Sequence, residues 1–190
     1  MSILSAVLFI HVLSAMTLFA AFALEAVVLL RIRSSLNVEH ARVGVLSFHR
    51  LRGIAMPAFV GVLGSGLYLA YLYGGGTAWI PASLIAILLI MLVGGTVTGI
   101  RMAPLKKLLS TAGEAVAIKA ILAKTQDRAL VLSYGFRVGL AVGIVFLMTA
   151  KPGLRLSVGA LAGAALAGVI LVAGLSHRSE HGSRSVQNQY

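Results

Sequence analysis

Five apolar runs, each at least as long as a bilayer crossing, are separated by short connections that alternate between basic and uncharged. About 20 apolar residues in a helix rising 1.5 Å per residue match the ~30 Å hydrocarbon core of a membrane. In lipid each backbone N–H and C=O must be paired within the protein, so a spanning run of this kind folds as a helix. The expected fold is all-α: a polytopic membrane helical bundle with spans at about Ile3–Leu30, Ile54–Tyr73, Ala82–Ile100, Ala129–Ala150 and Leu154–Leu175. These form a single domain, residues 1–175, followed by a polar tail, Ser176–Tyr190, expected to be disordered and cytoplasmic.

Composition agrees with lipid as the solvent. Only 11% of the 190 residues are charged, whereas a soluble domain carries about 25%. The absence of cysteine removes disulfides, thiolate metal sites and cysteine nucleophiles together. A net charge of +11 raises the question of nucleic acid, but the basic residues flank apolar spans. They read as orientation signals and contacts to anionic lipid headgroups, not as a nucleic-acid surface. The first run follows no basic segment and exceeds a signal-peptide core of about 7–15 residues, so it is expected to remain as the first span.

Orientation follows from the cations. Of the 16 Lys and Arg residues, all but Arg137, Lys151 and Arg155 lie in the loop after the first span, the loop after the third, or the tail. The positive-inside rule places those segments in the cytoplasm, with the N-terminus outside, in a bacterial inner membrane. Tyr68, Tyr71, Tyr73 and Trp79 cluster at the uncharged connection between the second and third spans, as interfacial aromatics do. Pro57 is expected in the first turn of the second span, where a missing N–H costs little. A polar loop, Ser34–Gly53, precedes it, and Val43–Leu51 within that loop suits a short interfacial helical turn. From Pro104 to about Lys124 the chain is amphipathic. Thr111-Ala112-Gly113-Glu114 fits a capping box there, so a helix lying on the cytoplasmic leaflet is expected.

Lipid supplies no hydrophobic drive between helices, so small-residue stripes and rare polar groups must assemble them. Gly135, Gly139 and Gly143 recur every fourth residue on the fourth span; Gly159, Gly163 and Ala167 do so on the fifth, and Gly95 and Gly99 on the third. The fourth and fifth spans, joined by Lys151-Pro152-Gly153, are expected to pack as an antiparallel pair. The same Gly-rich faces could serve a homo- or hetero-oligomer.

Three ionisable residues lie within spans, where they are costly and face the bundle interior. His11, Ala15, Leu18, Phe22 and Glu25 share one helical face. Glu25 and Arg137 lie at similar depth once the arginine's reach is included, which allows an intramembrane ion pair. The alternative sends Arg137 to the interface alone and Glu25 to Arg31 or Arg33. His11 suits a haem or metal ligand or a proton relay; the alternative is a hydrogen bond to Ser14 or a facing carbonyl. No metal-ligand cluster is legible, and His40 and His49 are not spaced as one. Single methionines such as Met56 and Met91 read as packing.

Phe9-Ile10-His11-Val12-Leu13-Ser14-Ala15 before an Arg-rich loop, Met56-Pro57-Ala58, Ala103-Pro104 and Met148-Thr149-Ala150-Lys151-Pro152-Gly153 together resemble the bacterial membrane family called domain of unknown function 2269. The resemblance covers about Ile3–Gly153 and leaves the fifth span outside. It departs at Phe19-Ala20-Ala21, where the family has an aromatic and glycines, and at Arg137, near which the family has an acid. A more distant likeness is to HemJ and CopD membrane proteins, through the first-span histidine and the Lys-Pro pair. It implies haem b bound at His11, although the lysine of the HemJ third span has no counterpart in Ala82–Ile100. The expected function is a small non-enzymatic subunit or accessory. A haem-b redox protein and a carrier of protons or a small solute along the His11–Glu25 face stand as alternatives, with catalytic residues unassigned.

Overall fold

The computed structural model describes residues 2–33, 38–72, 77–100 and 128–187. They form α1 (Ile3–Arg33), α2 (Val38–Leu72), α3 (Trp79–Val93), which passes into a π-helical stretch at Gly94–Gly99, then α4 (Arg128–Ala150) and α5 (Leu154–Gln187). No strand occurs among the described residues. Five stretches are long and apolar enough to cross a membrane: Ile3–Arg31, Val43–Leu72, Trp79–Gly99, Arg128–Ala150 and Leu154–Gly174. Side chains such as Ile3, Phe9, Val60, Tyr71 and Leu171 stand largely exposed on the outside of the bundle. A soluble monomer rarely carries so continuous an apolar coat, and the architecture is that of a multi-pass membrane protein. The amphipathic segment 104–124 lies outside the described residues.

Three boundaries differ from the sequence reading. The second helix starts at Val38, so most of the expected polar loop is helical and Pro57 lies in its interior. The polar segment 38–53 contains no proline, and Val45 and Phe48 are buried, so tertiary packing draws it into the helix. Pro57 cannot bond the Gly53 carbonyl, a defect that membrane helices tolerate when neighbouring groups compensate. The third helix begins at Trp79, with Pro81 in its first turn. The last helix continues to Gln187 through the segment expected to be disordered. Nucleation is the costly step of helix formation; here the span provides the nucleus, and no proline follows to stop it.

α1 packs along α2 and α4 along α5, while α3 lies chiefly against α4 and barely touches α2. The shared core holds Leu18 and Phe22 of α1, Phe59 of α2, Ile90 of α3 and Leu140 and Ile144 of α4. The α4–α5 contact is made by missing side chains. A Cβ at Gly135 would stand 2.6 Å from the Gly168 carbonyl oxygen, and one at Gly139 would stand 2.8 Å from the Ala165 Cα. A Cβ at Gly143 would meet Leu161 Cδ2 at 3.0 Å. The α4 stripe therefore lies at the interface. The matching stripe on α5 does not: nothing lies within 4 Å of a Cβ added at Gly159 or Gly163, and Ala167 is exposed. α5 presents Leu161, Ala164, Ala165 and Gly168 instead. The turn between them places Lys151 in the left-handed region (φ 47°). Ser157, wholly buried, donates its hydroxyl to the Gly153 carbonyl at 3.1 Å.

Candidate functional site

Two polar centres lie on the inward face of α1, one on each side of the apolar core. His11, Leu18, Phe22 and Glu25 are all buried, and Ala15 packs against the core, so the five share the inward face that their spacing implies. Glycines on α2 bring that helix close. A Cβ at Gly66 would stand 3.2 Å from the His11 ring, and one at Gly61 would collide with the Ser14 hydroxyl.

At the first centre, His11 Nδ1 lies 2.9 Å from Ser65 Oγ. The Ser65 hydroxyl donates to the Gly61 carbonyl of its own helix, which uses its single proton. With that proton on the Gly61 carbonyl, Ser65 Oγ is free to accept from an Nδ1–H of His11. In that tautomer the lone pair lies on Nε2. The partners belong to the facing helix: the Ser65 side chain and, as the sequence alternative allowed, a main-chain carbonyl, that of Val62; Ser14 does not take that place.

At the second centre, the structure brings Glu25 and Arg137 together. Arg137 Nη1 donates to Glu25 Oε2 at 3.0 Å and Nη2 to Oε1 at 2.5 Å. This two-pronged geometry suits a guanidinium against a carboxylate. Nη2 also donates to Thr98 Oγ1 at 3.3 Å. The guanidinium carbon sits 5.7 Å from the centre of the Phe22 ring and 5.9 Å from that of Tyr134, within the range of cation–π attraction. Tyr134 in turn donates its hydroxyl to the Phe22 carbonyl at 3.0 Å. Gly94 makes room, since a Cβ there would be 3.3 Å from Arg137 Cδ. The π-helical widening at Gly94–Gly99 carries Thr98, a π-bulge against a polar group of the sort often found at functional positions. Arg137 Nε is enclosed with no partner among the described residues.

A half-enclosed cavity of about 170 Å³ adjoins this pair. Its polar lining is Glu25, Arg137, Thr98 and Arg52; Phe22, Phe48, Phe59, Met56 and Met91 contribute apolar walls. Ser65, Thr98, Tyr134 and Arg52 were not singled out from the sequence as parts of these centres. The signal for Ser65 was present: a hydroxyl flanked by Gly64 and Gly66 within an apolar span. No three His, Asp or Glu side chains converge as metal ligands among the described residues. Comparison with known proteins gives no match to a family model, to a curated protein or to a solved structure.

Proposed function

We propose that this chain is a non-enzymatic subunit or accessory protein of a bacterial inner membrane, with its N-terminus outside and its C-terminus in the cytoplasm. The observation that carries this reading is the partnering of three buried ionisable groups, His11, Glu25 and Arg137. Glu25 and Arg137 satisfy each other across α1 and α4, and His11 is bonded to Ser65 of α2. A paired carboxylate and guanidinium are poor acid–base reagents and good helix fasteners. The exposed apolar faces, including Gly159 and Gly163 of α5, leave surface for a companion within the membrane. Cross-linking in intact membranes, followed by purification in mild detergent, is expected to give a defined assembly larger than one chain. A strictly monomeric protein under both conditions would overturn the subunit reading.

A second reading has an observation of its own. Ser65 holds His11 at Nδ1, and an outer hydrogen bond at that nitrogen orients histidines that ligate iron through Nε2. His11 would then be the axial ligand of haem b, which would supply one-electron redox chemistry. Its test is an absorption spectrum of the purified chain: a Soret band lost in His11→Ala supports haem, and a colourless folded protein from haem-replete cells removes it. The transport reading is not favoured, because Leu18 and Phe22, between His11 and Glu25, are packed in the apolar core.

A further inference from the structure

We infer that the cavity beside the Glu25–Arg137 pair is a phospholipid site, in which Arg52 holds the phosphodiester and the apolar walls take the upper part of one acyl chain. Charge is the first argument. Glu25 is matched by Arg137, so the second guanidinium of the lining, Arg52, leaves one net positive charge on the cavity. Arg52 is exposed and has no hydrogen bond or ion pair among the described residues. A phosphodiester carries one negative charge and accepts the paired N–H groups that a guanidinium offers.

Depth is the second argument, and it separates a lipid from a soluble anion. Arg52 lies 20 residues from the Leu72 end of α2, and Gly99 lies 20 residues from the Trp79 end of the third span. At 1.5 Å per residue both are about 30 Å from those ends, which is the hydrocarbon thickness. The two residues also meet: a Cβ on Gly99 would stand 2.6 Å from Arg52 Nη1. The guanidinium is thereby placed at the boundary where lipid phosphates lie, whichever way the protein is oriented.

The walls are the third argument. Phe48, Met56, Phe59 and Met91 give the cavity an apolar, adaptable lining. Its volume of about 170 Å³ is near that of an engineered apolar cavity of ~150 Å³ that admits benzene. That is room for a short stretch of acyl chain, the remainder running out through the open side into the bilayer.

The test is native mass spectrometry of the full chain, purified in detergent, stripped of lipid and titrated with dioleoyl phosphatidylglycerol. Dioleoylglycerol (chains without phosphate) and glycerol phosphate (phosphate without chains) serve as the comparison probes. One retained phospholipid per chain is expected, with affinity about tenfold lower in Arg52→Gln, as for loss of a charged hydrogen bond. Met56→Trp, which fills the groove and leaves the cation in place, should weaken retention similarly. Arg155→Gln, an exposed cation at the far end, should not change it. Unchanged retention in Arg52→Gln, dioleoylglycerol binding as tightly as the phospholipid, or displacement by glycerol phosphate at equal concentration would each overturn the assignment. Thermal unfolding of each variant identifies any loss that comes from misfolding.

Discussion

At the scale of single residues, the Glu25–Arg137 contact joins the two halves of the chain, and its energetics are asymmetric. Both side chains are nearly sealed from solvent. Removing one leaves the other charge buried and uncompensated, which costs about 3–5 kcal/mol, whereas removing both can be close to neutral. Glu25→Gln and Arg137→Met are therefore each expected to destabilise the bundle by about 3–5 kcal/mol, and the double variant to recover most of that loss. A double-mutant cycle by chemical unfolding in detergent measures it; additive effects would show that the pair is not coupled. The shared face of His11 and Glu25 and the comparable depths of Glu25 and Arg137 were legible, because helix period and rise convert spacing into position. Ser65, Thr98 and Tyr134 were harder to foresee. A hydroxyl in a span can bond its own helix, as Thr17 does to the Leu13 carbonyl at 2.8 Å. Spacing alone does not reveal which hydroxyls face a charge.

Between elements, backbone proximity decides the packing. Gly139 admits the α5 backbone around Ala164 and Ala165, whereas Gly163 has open space beside it. Gly139→Leu should separate α4 from α5 and cost more than about 3 kcal/mol, beyond ordinary overpacking, because a backbone cannot step aside as a side chain can. Gly163→Leu should stay within about 0.5 kcal/mol, as for surface substitutions generally. Thermal stability in detergent compares the two, and equal losses would refute the assigned interface. The α4 stripe could be read in advance because its glycines stand among bulkier residues. α5 is rich in Ala and Gly on every side, so four-residue spacing marked a face there without showing that it points outward. The early start of α2 was concealed by polar residues that mimic a loop until Val45 and Phe48 pack inward.

For the whole molecule, the five candidate spans among the described residues, taken with the orientation proposed above, put the chain ends on opposite sides. Reporter fusions are expected to find the N-terminus outside and the C-terminus in the cytoplasm; both ends in one compartment would refute the five-span topology. The five spans were legible because lipid imposes a length that composition alone can meet. Their arrangement into an α1–α2 pair and an α4–α5 pair, with α3 set mainly against α4, depends on interhelical fits that hydropathy does not encode. The fastening of one pair to the other has a consequence for biogenesis. Glu25 and Arg137 are 112 residues apart in the chain, so at ~5–20 residues per second the carboxylate is made about 6–22 s ahead of its guanidinium. Throughout that interval the nascent first helix carries an unmatched acid, and the ribosome must reach the fourth before the membrane can hold it in its final place.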